Sequence, residues 1–278
     1  MIDSHCHIQF NAYKDDAEEV IKKCHELGVL MNCIGSQIDT SIRAVEYAEK
    51  YPDIYATVGL HPVHLSSTEV DEEEAKFTSH EEKFDYERYK KLANHPKVIG
   101  IGECGLELFH LPRNANKEEI LMKQKEGFLL QYKLAEDLDL PLVIHVRDAH
   151  LEMITLLKSL NTPIKGVVHC YTSNWQDAQK YLDLGLHIGF TGVITFPAKK
   201  TDPKPHQELL EVVEKCPLDR MLIETDAPYL APQAYRGQRC EPWMVVEVAK
   251  KIAEIKKMNL VEVEKIIEQN TKKLFNKI

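Results

Sequence analysis

The first ten residues, MIDSHCHIQF, read as a buried strand, yet they carry Asp3, His5 and His7. Polar groups are costly inside a core unless they are paired or hold a metal. Residues two apart on a strand project from the same face, so His5 and His7 point together. Two imidazoles at this spacing are the beginning of a metal site. Four further runs place an acid or an imidazole after three to five mostly apolar residues. They are Glu103 in VIGIGECG, His145 in PLVIHVRD, His169 in GVVHCYT, and Glu224 with Asp226 in MLIETDAP. A lone core histidine is usually a hydrogen-bonded filler, but that account does not cover this many ionisable groups at strand ends. Imidazole and carboxylate donors without converging thiolates suit Zn, Mn, Fe or Mg rather than a Cys-rich structural zinc site. The donors exceed the needs of one ion, so two divalent ions sharing a carboxylate is the economical reading.

Three arginines are candidate phosphate clamps, because guanidinium meets phosphate oxygens in a two-pronged way. Arg147 lies two residues after His145 and shares its strand face, while Arg236 and Arg239 follow the last strand-like run. Trp243, Phe109 and Tyr229 are aromatic candidates for stacking on a base, although aromatics near a rim more often pack.

The elements that must carry these groups alternate along the whole chain. Strand-like runs are IDSHCHI, VLMNCIGS, IYATVGLHP, VIGIGECGLE, PLVIHVRDA, GVVHCYT, HIGFTGVITF and MLIETDAPYL. Segments such as EEVIKKCHELG, KQKEGFLLQYKLAEDLDL and PHQELLEVVEKC have the three- and four-residue spacing of amphipathic helices. Gly28, Gly185 and Asn161 stand where helices should stop. Eight βα units in 278 residues predict one domain, residues 1–278, folded as a (β/α)8 TIM-type barrel of parallel strands with outer helices. An open doubly wound sheet is the alternative, but no Gly-rich phosphate loop follows the first strand. A barrel gathers the C-terminal strand ends into one ring, where catalytic groups collect. The connection after His61-Pro62 is long for a βα link, and its acidic segment 66–86 should emerge on that face.

Composition narrows the partners. Hydrophobic residues make up 44%, enough for a sizeable core, and the net charge is −9. That charge offers no general attraction to nucleic acid or anionic membrane, so a phosphate-bearing substrate needs local cations. No apolar run approaches the ~18 residues of a membrane helix. Seven cysteines, none in a CxxC pair, and no signal peptide predict reduced thiols in the cytoplasm, or in the nucleus of a eukaryote. Cys6, Cys104 and Cys170 read as small core residues. No oligomeric state is read from the sequence, and a monomer is compatible with it.

The phrases DSHCHI, VGLHPVH, IGECGLE, QYKLAEDLDLPLVIHVRDA, GVVHCYT, ETDAPYLAP and RGQRCEP span nearly the whole chain. In order and spacing they resemble the TatD-type deoxyribonuclease family of the amidohydrolase superfamily. The resemblance implies that His5, His7 and Asp226 hold one ion, His145 and His169 a second, and Glu103 both. It implies that His61 and His64 line the substrate side and that Glu224, near the metals, is counted with the substrate-binding residues. It implies hydrolysis of DNA phosphodiester bonds, from a 3′ end (3′–5′ exonuclease), with Asp226 and Glu103 catalytic. Two cations lower the pKa of a water between them, and Asp226 is placed to take its proton. The chain departs from the family at Glu107, where Asp is common, at Leu108, where an aromatic is common, and at Cys240, where Asn is common. These departures bear on substrate preference, and an amide or ester of a small or aminoacyl substrate is the alternative target. A non-catalytic scaffold predicts missing ligands, and none is missing.

Overall fold

The computed structural model describes residues 1–66, 81–111, 116–160 and 163–278. Its eight strands are β1 (Ile2–Cys6), β2 (Leu30–Ile34), β3 (Ile54–Val58), β4 (Val98–Glu107), β5 (Leu142–Arg147), β6 (Gly166–Val168), β7 (His187–Phe190) and β8 (Met221–Ile223). They pair in parallel in chain order, as one sheet. The seam between β8 and β1 is closed just beyond β8, by a parallel bridge from Cys6 to Ala227. There His7 N donates to Ala227 O at 2.7 Å and Asp226 N to His5 O at 2.9 Å. The (β/α)8 barrel expected from the alternation is therefore the fold, and residues of the candidate site make its last seam.

The helices that wrap the barrel are α1 (Ala17–Glu26), α2 (Ile38–Lys50), α3 (Tyr86–Ala93), α4 (Lys117–Leu138), α5 (His150–Lys158), α6 (Trp175–Asp183), α7 (Lys204–Lys215), α8 (Val245–Lys256) and α9 (Leu260–Leu274). Side-chain oxygens of Asp85, Asn116, Asn174 and Asn259 accept backbone N–H bonds at the starts of α3, α4, α6 and α9, satisfying donors a helix leaves open. Gly28 and Gly185 follow α1 and α6, as expected of helix stops. Asn161 and most of the acidic segment 66–86 lie outside the described residues. Among the described residues, no helix is long and apolar enough to cross a membrane.

The strands are shorter than the apolar runs suggest. β6 ends at Val168 and β8 at Ile223, so His169, Glu224 and Asp226 stand just past their strands. The run HIGFTGVITF leaves the sheet at Phe190 and turns through a 3-10 helix at Gly192–Thr195. Period-2 patterning marks which face is buried, not where the ladder hydrogen bonds stop.

Inside the barrel, Ile99, Val143, Val167 and Leu222 pack with Leu274 and Phe275 from the end of α9. By strand parity, Val143, Val167 and Leu222 lie one layer below His145, His169 and Glu224. This apolar floor closes the N-terminal end. Above it on the β1 side the interior turns polar. Asp3 is fully buried and accepts from Thr225 N at 2.9 Å and Thr225 Oγ1 at 2.6 Å, tying β1 to the segment after β8. Asn32 donates to Ser4 O and accepts from Thr57 Oγ1, each at 3.1 Å. Asp3, polar in a buried strand, thus has a structural partner.

Candidate metal centre

Six side chains meet at the C-terminal mouth, from the ends of β1 and β5, from just past β6 and β8, and, for Glu103, from within β4, four residues before its end. His5 Nε2 and His7 Nε2 are 3.2 Å apart, and Asp226 Oδ1 lies 3.6 Å from the first and 3.5 Å from the second. Glu103 Oε2 is 3.5 Å from His5 Nε2. The other oxygen of Glu103 faces a different pair, with Oε1 at 2.9 Å from His145 Nδ1 and 2.7 Å from His169 Nε2, themselves 3.3 Å apart. All six residues the sequence singled out as ligands therefore converge. Neighbouring ligands of a small divalent ion with bonds of ~2.1 Å stand roughly 3 to 3.5 Å apart; the first group is close to that spacing, while in the second Glu103 Oε1 stands at hydrogen-bond distance from both imidazoles. Each is a mix of imidazole nitrogen and carboxylate oxygen, the chemistry of a Zn, Mn, Fe or Mg site.

Local structure aims these groups. Gly105 allows β4 to run hard against β5, since a Cβ there would stand 1.9 Å from His145 O. Gly189 makes room for the Glu224 carboxylate, which a Cβ would meet at 2.7 Å. His7 Nδ1 donates to Ile34 O at 2.8 Å, which leaves the lone pair on Nε2 facing the site. The ring of His5 stacks on that of His169, centroids 4.0 Å apart.

Without cations the cluster holds itself by shared protons. Burial alone lowers the pKa of His145, but Glu103 and Glu107 on either side outweigh it and lift the group to about 9. Burial also opposes charge on His7 and His169, and the carboxylates of Asp226 and Glu103 again prevail, raising both. Burial would raise Glu103 and Asp226, yet the surrounding histidines hold both below the usual carboxylate range. His5 falls to about 4, through burial and then the proximity of His169.

Of the substrate-side candidates, His61 reaches the site, with Nε2 at 3.5 Å from Glu103 Oε1. Its Nδ1 accepts from Val63 N at 3.1 Å, so the proton sits on Nε2, which faces the site as a donor. Burial, with His145 alongside, pushes its pKa well down and keeps it neutral. His61, Glu103 and His145 also form a convergent trio, but this tautomer makes His61 a donor rather than a ligand. His64 is buried behind it, the two rings 6.2 Å apart. Arg147 and Arg236 are exposed at the rim, each stacked on an aromatic ring at 4.1 Å, Phe109 and Phe196 respectively.

Two expectations are corrected. Arg239 is not presented at the mouth as a clamp. It grips Asp16 with two bonds of 2.8 and 2.6 Å, donates to Ala12 O and lies over Tyr13. Glu224 is not presented to the mouth either: it is fully buried beside His169, accepting from Cys170 N at 2.5 Å and from Ser4 Oγ at 3.3 Å. Burial raises its pKa to about 7. Trp243 packs against Tyr235 and Lys23 on the outer face, and Tyr229 lies 6.4 Å from the His7 ring.

Sequence reasoning missed the supports. Gln131 of α4 pairs with both backbone groups of Leu60, at 2.8 and 2.9 Å, and so holds the loop that carries His61. Gln124, two turns earlier, does the same for Glu107, at 3.0 and 2.9 Å. Their seven-residue spacing on one helix face, in line with Gly127, Phe128 and Leu134, was the available signal.

The chain matches the family described as TatD related DNase over residues 2–276. It is 36% identical to the uncharacterized metal-dependent hydrolase YabD of Bacillus subtilis, with 99% of this chain and 98% of the relative aligned. An uncharacterized metal-dependent hydrolase of Mycoplasma pneumoniae is 31% identical, with 98% of each chain aligned. The crystal structure of the TatD homologue YjjV from Escherichia coli superposes with a TM-score of 0.81 at 29% identity, covering 99% of this chain and 98% of that one.

Proposed function

The chain belongs to the TatD family of metal-dependent hydrolases, and from that premise we propose that it cleaves DNA phosphodiester bonds, from a 3′ end, with two divalent cations. One observation supports the two-cation reading: the carboxylate of Glu103 turns Oε2 toward His5 and Oε1 toward His145 and His169. His5, His7 and Asp226 would hold one ion, His145 and His169 the other, and Glu103 both. When bound, Zn, Mg or Mn supplies Lewis-acid charge against phosphate oxygens and lowers the pKa of water.

The chain's own residues do the rest. Asp226 is the most exposed of the six, with a side chain 17% accessible, and it is held ionised, so it can accept a proton at the mouth. The Nε2–H of neutral His61 is a fixed donor for a non-bridging phosphate oxygen. Arg147 and Arg236 have guanidinium planes held by the rings beneath them, ready for phosphates on either side of the scissile bond. This local positive character answers the net charge of −9, which otherwise repels a polyanion. Every proposed ligand comes from one chain, so a monomer suffices, and seven unpaired thiols support a reducing compartment, cytosol or nucleus.

The deciding experiment uses metal-stripped protein with Mg, Mn or Zn restored in turn, end-labelled single- and double-stranded DNA, and Glu103→Gln as control. Metal-dependent shortening from the 3′ end, lost in the variant, is the expected outcome. Protein that binds metal but cuts neither substrate with any ion would reject the nuclease reading in favour of an amide or ester target.

A further inference from the structure

Glu107 ends β4 and is 2% exposed, and each of its polar atoms has a partner. Its backbone is clasped by Gln124. Its Oε1 accepts from Phe109 N at 2.6 Å and His110 N at 3.0 Å. Its Oε2 is 3.1 Å from His145 Nε2 and 3.4 Å from His110 Nδ1. His145 is thus sandwiched, with Glu103 and His169 at Nδ1 and Glu107 at Nε2.

We infer that Glu107 is a positioning residue: it keeps the proton of His145 on Nε2 and so turns the Nδ1 lone pair toward Glu103 and His169 as a cation ligand. The inference rests on the two-cation reading above. An imidazole binds a cation only through a nitrogen that carries no proton, and its other nitrogen then needs an acceptor. An ionised carboxylate accepts only, so Glu107 permits a single tautomer. The two backbone N–H groups on Oε1 matter as much as the charge, because they fix which end of the side chain faces His145. In Glu107→Gln they would claim the carbonyl oxygen and leave the amide NH2 opposite Nε2. That group donates, which reverses the tautomer and places a proton on Nδ1. In Glu107→Asp the acceptor is kept but retracts by about one C–C bond, ~1.5 Å.

The test uses full-length 15N-labelled protein and zinc. Long-range 1H–15N spectra of the zinc-loaded wild type should show His145 bonded through Nδ1, with a strongly hydrogen-bonded proton on Nε2. Calorimetric titration with zinc should find two ions in the wild type. In Glu107→Gln one ion should bind as before and the other about 10- to 100-fold more weakly, with Glu107→Asp in between. Coordination of His145 through Nε2 in the wild type would overturn the inference, and that spectrum needs no variant to fold. So would two ions bound by Glu107→Gln as tightly as by the wild type, a result that leaves the two-cation reading intact. One ion in the wild type would remove both readings together. Neither readout depends on what the enzyme cleaves, so failure of DNA as substrate is a separate result.

Discussion

The two ends of the barrel interior fill the same space with opposite chemistry. At the N-terminal end, Ile99, Val143, Val167 and Leu222 meet Leu274 and Phe275 in an all-apolar floor. Two residues further along three of those strands the inward positions become His145, His169 and Glu224. One pleat therefore separates a layer whose burial favours folding from a layer whose burial opposes it. The upper layer persists because its charges are mutually paired, and because a cation can take the place of the shared protons. Division of labour along a strand is how a barrel keeps a reactive mouth on a stable base.

The largest effect is expected of Asp226→Asn, in the upper layer. Asp226 has φ 58°, a left-handed conformation that Asn tolerates, so the backbone survives the change. The variant should lose about 10²- to 10⁴-fold in kcat on 3′-labelled DNA, the usual worth of a general base, while its melting profile stays close to the wild type. Near-normal turnover would remove Asp226 from the chemistry.

The converse change is Phe275→Ala, in the floor. Truncating a fully buried aromatic should cost about 3–5 kcal/mol of stability, measured by urea unfolding. Zinc affinity of the folded fraction should be unchanged. A parallel loss of zinc affinity would show that the two layers are mechanically one unit.

The upper layer and the fold were visible in the sequence, for different reasons. The upper layer stood out because polar residues interrupt apolar runs at a fixed position, and the period of two told which of them face inward. The fold followed from the alternation of those runs with amphipathic segments. What stayed hidden depends on contacts between distant positions. Arg239 reads as a rim cation until its partner Asp16, 223 positions earlier, is in place. Glu224 shares the inward face with Asp226, but only the fold shows that Cys170, Ser4 and His169 close around its carboxylate. Gln124 and Gln131 share the buried face of α4, but nothing local says that their amides will pair with the backbone of Glu107 and Leu60.

A smaller effect separates the layers by pH. The floor has nothing to titrate, whereas His145 is lifted to about 9 between two carboxylates. A histidine raised above its unfolded value of about 6.5 contributes stability that is complete below pH ~6.5 and lost as pH rises through the folded value. His7 and His169 are raised as well and act in the same sense. Metal-free protein should therefore melt lower at pH 9.5 than at pH 6.5, by at least the ~2–4 °C that 1 kcal/mol produces in a large domain. Saturating zinc should flatten the dependence, because the cation replaces the titrating proton. Phe275→Ala should lower the metal-free curve by a similar amount at every pH. A pH-independent melt in chelated wild type would mean that the upper layer does not hold itself by shared protons.

The smallest contrast lies at the rim, between two arginines that look equivalent in sequence. Arg147 stacks on exposed Phe109, whereas Arg239 is bound to Asp16 and Ala12. Arg147→Ala should raise KM for DNA about tenfold with kcat nearly unchanged, since one charge-assisted contact to a phosphate is worth roughly 1.5 kcal/mol. The effect should fade as salt screens the interaction. Arg239→Ala should leave KM alone and lower stability by no more than about 1 kcal/mol, as for a partly exposed ion pair. A KM effect confined to Arg239 would show that the rim opens and frees it when substrate binds, and would move the phosphate contact to the loop after β8.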